Sequence, residues 1–207
     1  MSWTPPVHVL LCPITGEDDQ LIEQIQLKPL FYAEQKAALA KAGNDEDDQF
    51  FELAKLATGL PGKVLDQLKR PDYVSIAQYV HEMSTLPASH FLAKAADRAE
   101  LEGDSRDESA GSAEPENLNE VRLLLPLPVA GAHIDSLSLQ MPALMATKAM
   151  KKFKTPKERA EFITAHCTDL MIPDLALLSV PDWTQLQERI DDFLNKPAAF
   201  FRNATSK

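Results

Sequence analysis

Residues 7–83 and 121–193 of this chain carry one order of landmarks. Each has a β-like run, Pro, Gly, a second β-like run, an aromatic-led helix, Pro, an Asp followed by an aromatic residue, and a last helix. On this alignment Pro13, Gly16, Ile22, Leu27, Phe50, Pro61 and Asp72 stand opposite Pro128, Gly131, Ile134, Leu139, Phe162, Pro173 and Asp182. Identity between the halves is low; the order and spacing of residues with backbone roles carry the repeat. The halves then differ in length in the first loop and just before the last helix, where a loop absorbs extra residues at small entropic cost. A chain built this way folds into two small modules, each too short for a large core of its own.

The last helix of each half supports the duplication. Tyr73, Ile76, Val80 and Met83 recur at the offsets of Trp183, Leu186, Ile190 and Phe193, an apolar stripe of helical period. Asp72 and Asp182 read as the N-caps of these helices, and Asp182 with Gln185 has capping-box spacing.

The expected fold class is α+β: two similar small units, each a β-hairpin followed by three or four short helices. The strands are Val7–Pro13 with Leu21–Lys28, and Val121–Leu127 with His133–Gln140. A lone hairpin is unstable in water, so helices must cover each one. One helix spans about 30–42, and Asn44 is expected to cap a second, with acidic residues Asp45–Asp48 at the positive end of its dipole. Its counterpart opens on Thr155-Pro156-Lys157-Glu158, a capping box with Pro at the first helical position. Short helices follow Pro61 and Pro173, with Val64, Leu65 and Leu68 opposite Ala176, Leu177 and Val180. A further helix is expected over Leu86–Ala96. The domain reading is a first repeat at 1–96, an acidic flexible linker at 97–120, and a second repeat with a C-terminal tail at 121–207.

Charge narrows the function. Residues 7–83 carry 7 basic and 13 acidic side chains, residues 97–120 carry 2 and 9, and residues 121–193 carry 8 and 9, in a chain of net charge −10. Phosphate backbones repel such a chain, and no basic patch with interleaved aromatics is present, so nucleic acid is not an expected partner. No apolar run reaches 18 residues and the N-terminus lacks a basic n-region, so neither membrane insertion nor export is expected. The two cysteines, Cys12 and Cys167, form no framework and suit a reducing cytoplasm.

Reaction chemistry is not legible. None of His8, His81, His90, His133 and His166 has zinc spacing to a cysteine pair. There is no phosphate loop, no nucleophile elbow and no separated acid/base pair. The expectation is no enzyme, no metal and no cofactor. Lys148, Lys151, Lys152, Lys154, Lys157 and Arg159 form a basic stretch, either a solvated face or a contact for acidic groups. Candidate partner-binding residues are Phe31 and Tyr32, where three apolar residues in a row exceed what one buried face needs, and Phe200 and Phe201 in the tail.

The second half, with Pro128, Gly131, Ile134, Leu137, Leu139 and Pro142, then Ile172-Pro173, Leu177, Asp182, Leu186 and Phe193-Leu194, resembles the tail-assembly chaperones of Mu-like contractile-tailed phages. The first half repeats the pattern with Ala57-Thr58-Gly59-Leu60-Pro61, Leu65-Asp66, Leu68 and Asp72. The resemblance implies a non-enzymatic assembly factor of the bacterial host cytoplasm that keeps a tape-measure protein soluble, recruits tail-tube subunits and then departs. Self-association is left open. Two other readings stand beside it: an acidic decoy that mimics nucleic acid and occupies a host DNA-binding protein, and a permanent structural component of the tail.

Overall fold

The computed structural model describes residues 3–101 and 119–204. Its elements run β1 (Val7–Thr15), β2 (Leu21–Gln26), α1 (Tyr32–Ala42), α2 (Glu46–Thr58), α3 (Gly62–Leu65), α4 (Arg70–Thr85) and α5 (Ala88–Leu101), then β3 (Glu120–Val129), β4 (Ala132–Ser138), α6 (Leu144–Met150), α7 (Pro156–Thr168), α8 (Ile172–Leu175), α9 (Val180–Asn195) and α10 (Ala198–Ala204). Two antiparallel hairpins, β1–β2 and β3–β4, are each followed by helices of matching order. The fold is α+β, in two similar units.

Both hairpins carry the same irregularity. Val9 pairs with Gln24 and the next pair is Ile14 with Ile22; Arg122 pairs with Ser136 and the next pair is Leu127 with Ile134. In each case the first strand bulges while its partner runs straight. Pro13 and Pro126 lie inside the bulges, where a residue without an N–H costs no ladder bond. The structure therefore sets Pro13 opposite Pro126, two residues from the landmark alignment. Gly16 and Gly131 are not equivalent either. Gly131 (φ 83°) and Ala130 (φ 50°) form a two-residue turn with both φ positive, the geometry that matches strand twist. Gly16 opens a longer turn whose ends are joined by its N–H to the Gln20 carbonyl at 2.8 Å.

From α2 onward the repeats run residue for residue. Helices α2 and α7 have 13 residues each, α3 and α8 have 4, and α4 and α9 have 16. The buried faces coincide: Leu53, Ala54, Ala57 and Thr58 in α2, against Ile163, Thr164, Cys167 and Thr168 in α7. Phe50 therefore corresponds to Ala160, Pro61 to Met171 and Leu65 to Leu175. The length difference falls earlier, where α1 has 11 residues and α6 has 7.

The helix caps follow partly from sequence. Thr155 and Glu158 make the expected box, with Glu158 N–H donating to Thr155 Oγ1 at 3.1 Å and Thr155 N–H to Glu158 Oε2 at 3.0 Å. The cap of α2 is Asp45, not Asn44; its carboxylate accepts Asp48 N–H at 3.0 Å. The caps of α4 and α9 are Lys69 and Ser179, which places Asp72 and Asp182 inside the first turn.

The chain divides into two compact units: Thr4–Leu86, and Met1–Trp3 with Pro87–Lys207. In the first, β1–β2 packs on α4, with Ile14, Ile25, Leu27, Leu30, Ile76 and Met83 almost fully buried. In the second, Val121, Leu123, Leu127, Leu137 and Leu139 of the hairpin meet Leu170, Leu175, Leu178 and Leu186. Ala146, Ile163, Cys167 and Ile190 form a smaller cluster beside them. Helix α5 packs on β3 and α9 of this second unit, whereas the sequence reading set it at the end of a first repeat closing at residue 96. It also extends beyond the expected Ala96 to Leu101. Residues 102–118, most of the stretch read as an acidic linker, lie outside the described residues.

Candidate partner-binding surfaces

The bulges leave backbone N–H groups without ladder partners, and each repeat answers with one buried carboxylate. Leu11 N–H donates to Asp72 Oδ1 at 3.1 Å and Oδ2 at 3.3 Å. Leu124 N–H donates to Asp182 Oδ1 at 2.6 Å. Asp72 and Asp182 are 1% and 0% exposed. The two carboxylates fix the first turn of the last helix against the hairpin. Around Asp72 the further partner is His8, whose Nε2 lies 3.0 Å from Oδ1. Around Asp182 it is the Ser179 hydroxyl, which donates to Oδ2 at 2.5 Å. Burial raises the Asp182 carboxyl to about 6, opposed by the hydrogen bonds from Ser179, Leu124 and Leu125. Both carboxylates are buried and satisfied by backbone, hydroxyl or imidazole groups, an arrangement that ties the last helix to the hairpin.

Several other groups with chemical potential are buried or hydrogen-bonded, while Cys12 is exposed. Cys12 and Cys167 are free thiols, and burial pushes Cys167 up to about 11. The Tyr79 hydroxyl, raised by burial, donates to the Lys28 carbonyl at 2.9 Å. The hydrogen bond from Lys55, then that from Lys41, holds Glu52 below the usual carboxylate range. Among the described residues no three of His, Cys, Asp and Glu gather as for a metal ion. No described helix is long and apolar enough to cross a membrane.

The surface is more informative. Gln140 N–H donates to the Cys167 carbonyl at 2.8 Å, which ties the entry of α6 to the C-terminal end of α7. Met141, Leu144 and Met145 leave this junction on one side, Met171 and Ile172 on the other. They are 50%, 71%, 80%, 71% and 51% exposed. Exposed apolar side chains flanking one junction are candidates for a contact surface, and thioether side chains adapt to varied apolar partners. The far end of α6 leads into the basic stretch, where Lys148, Lys151, Lys152, Lys154 and Lys157 are all exposed. In this seven-residue helix Lys148 follows Leu144 and Met145 by four and three residues, so the apolar and basic regions adjoin along one turn.

Of the residues singled out from sequence, Phe31 is half-buried as the N-cap of α1, and Tyr32 is buried at 8% exposure. Phe200 is 40% exposed, and Phe201 packs against Phe193 at 5.7 Å between ring centroids. Phe31 and Tyr32 belong to the first compact unit, Phe200 and Phe201 to the second. Sequence reading passed over Met141-Pro142-Ala143-Leu144-Met145 and Met171-Ile172, apolar residues bunched at helix starts whose exposure only the structure reveals.

A family model described as "Phage tail assembly chaperone proteins, E, or 41 or 14" matches twice, at residues 7–84 and 120–195. Neither the curated proteins nor the solved structures give a match. The two matches begin and end with the hairpin-to-last-helix unit defined by the bulge and its buried aspartate. The chain belongs to the phage tail assembly chaperone family and carries the family's unit in tandem duplicate.

Proposed function

We propose that this protein is a non-enzymatic chaperone that holds an amphipathic helix of a tape-measure protein on its exposed methionine cluster and brings tail-tube subunits to it, in the cytoplasm of the host bacterium. The single observation behind this reading is the solvent exposure of Met141, Leu144 and Met145 at the start of α6 and of Met171 and Ile172 at the start of α8. A groove or ridge of adaptable apolar side chains is how a small domain receives an amphipathic helix. The neighbouring lysines favour a target with acidic residues beside its apolar face. Phe31 at the head of α1 is proposed as the corresponding contact of the first repeat. Tyr32 beneath it serves as its support. Two tethered units raise the local concentration of weak sites, so a long target is held firmly yet released stepwise.

Co-expression with the tape-measure protein tests the proposal. Wild type should raise the soluble fraction of that protein several-fold, and Met145→Asp with Met171→Asp should remove most of the gain while the chaperone itself stays folded. A folded double variant that protects as well as wild type would sink the assignment. So would recovery of the chain as a stoichiometric component of purified particles.

A further inference from the structure

Helix α5 and helix α10 are counterparts. Each follows the last helix of its repeat after one Pro, Pro87 or Pro197, and Ala88 and Phe91 correspond to Ala198 and Phe201. Their surroundings differ. Helix α5 lies on β3 and α9. Its first turn is held by Gln185, whose Oε1 accepts Ser89 N–H at 2.6 Å. Ala88 and Phe91 are 0% and 5% exposed, and Leu124 on the covered strand is 2% exposed. In α10, Ala198 is exposed, Phe200 is 40% exposed and Phe201 is half-buried.

The face of the first repeat that matches the α5 seat is open. Leu11 corresponds to Leu124, since each donates its N–H to the buried aspartate, yet Leu11 is 71% exposed. Val9 on the same strand is 69% exposed, and Val74, in the first half of α4, is 50% exposed. Among the described residues this face of the first repeat carries no helix in the place of α5, and α10 leaves Ala198 and Phe200 exposed. The charges also match. Residues 196–207 contain Lys196, Arg202 and Lys207 with no acidic residue, whereas residues 7–83 carry 7 basic and 13 acidic side chains.

We propose that α10 of one chain docks on the β1 and α4 face of a second copy, around Leu11, as α5 docks on β3 and α9. This head-to-tail contact joins two different surfaces, so it continues to a closed ring or an open row. Opposite charge makes it weaken with added salt.

Light scattering of the full-length chain across micromolar concentrations, at low and high salt, tests the proposal. Mass should rise with concentration and fall with salt. Deleting the residues after Lys196 and, separately, Leu11→Asp should each weaken association at least tenfold. The two variants mixed should form a 1:1 heterodimer that stops there, because one keeps the seat and the other keeps the helix. Val9→Asp replaces Leu11→Asp if the latter alters the circular dichroism. A wild type that stays monomeric, variants that associate like wild type, or a mixture that yields no heterodimer would each overturn the proposal.

Discussion

The two repeats share an interior and differ outside. In both, a bulged strand presents an N–H to a buried aspartate. In both, a buried threonine closes the second helix: Thr58 and Thr168 donate to the Ala54 and Thr164 carbonyls at 2.7 and 2.8 Å. In both, the end of the hairpin is tied to that helix, by Lys28 N–H to the Ala57 carbonyl and by Gln140 N–H to the Cys167 carbonyl. The exteriors have diverged. The cap and first turn of α2 are acidic, Asp45–Asp48, whereas the approach to α7 and its first turn hold Lys151, Lys152, Lys154 and Lys157. Tyr32 is buried at the start of α1, and Leu144 is 71% exposed at the start of α6. Buried polar groups admit few solutions because an unsatisfied one is costly. Surface side chains are under no such restriction, and there the two copies specialise.

The largest test of this comparison removes the carboxylates. Asp182→Ala strands donors from Leu124, Leu125 and Ser179 in a fully buried site; a loss of about 3 kcal/mol or more is expected. Asp72→Ala should cost less, about 1–2 kcal/mol, because Leu11 stands at the surface and water reaches its N–H. Urea unfolding monitored in each unit separates the two. Equal losses would mean that exposure of the strand does not govern the cost.

A somewhat smaller effect concerns pH. Asp182 titrates at about 6 in the folded state against 3.8 as the ordinary value. Between those values the folded chain holds a proton that the unfolded chain has released. This group's contribution to stability therefore falls as pH rises through that window and is level above it. Asp182→Asn removes the titration and keeps one acceptor. Relative to wild type it should do better at pH 7 than at pH 4.5, by on the order of 2 kcal/mol. A constant difference across that range would show that the carboxyl is not held protonated by burial.

Much of this interior was readable in the chain. Helical stripes such as Ile76, Val80 and Met83 gave the last helices, and Thr155 with Glu158 gave the start of α7. The hairpins were located to within a few residues. The details of the bulge were not legible, because Pro13 and Pro128 have the spacing of an aligned pair while Pro126 is the true counterpart. Nor did sequence distinguish a capping aspartate from one in the first turn that reaches across to a strand. That distinction depends on a contact between residues 61 positions apart. The methionine cluster was missed for a related reason: exposure depends on what packs nearby, and an apolar residue at a helix start reads the same whether covered or not.

His8 and Ser179 offer the finest test, since they supply the same service from different places. His8 reaches Asp72 from β1, and its counterpart in β3 is Val121; Ser179 reaches Asp182 from the N-cap of α9, and its counterpart is Lys69. His8→Val should cost about 1 kcal/mol, since Asp72 keeps the Leu11 N–H but loses its second donor. Adding Lys69→Ser rebuilds the arrangement of the second repeat, with a hydroxyl three residues before the aspartate, and should restore most of the loss. The gain should vanish in an Asp72→Ala background, because the serine would then have no carboxylate to donate to. If Lys69→Ser stabilises equally with and without Asp72, it acts merely as a better helix cap. The two aspartates would then be held by local solutions that cannot be exchanged.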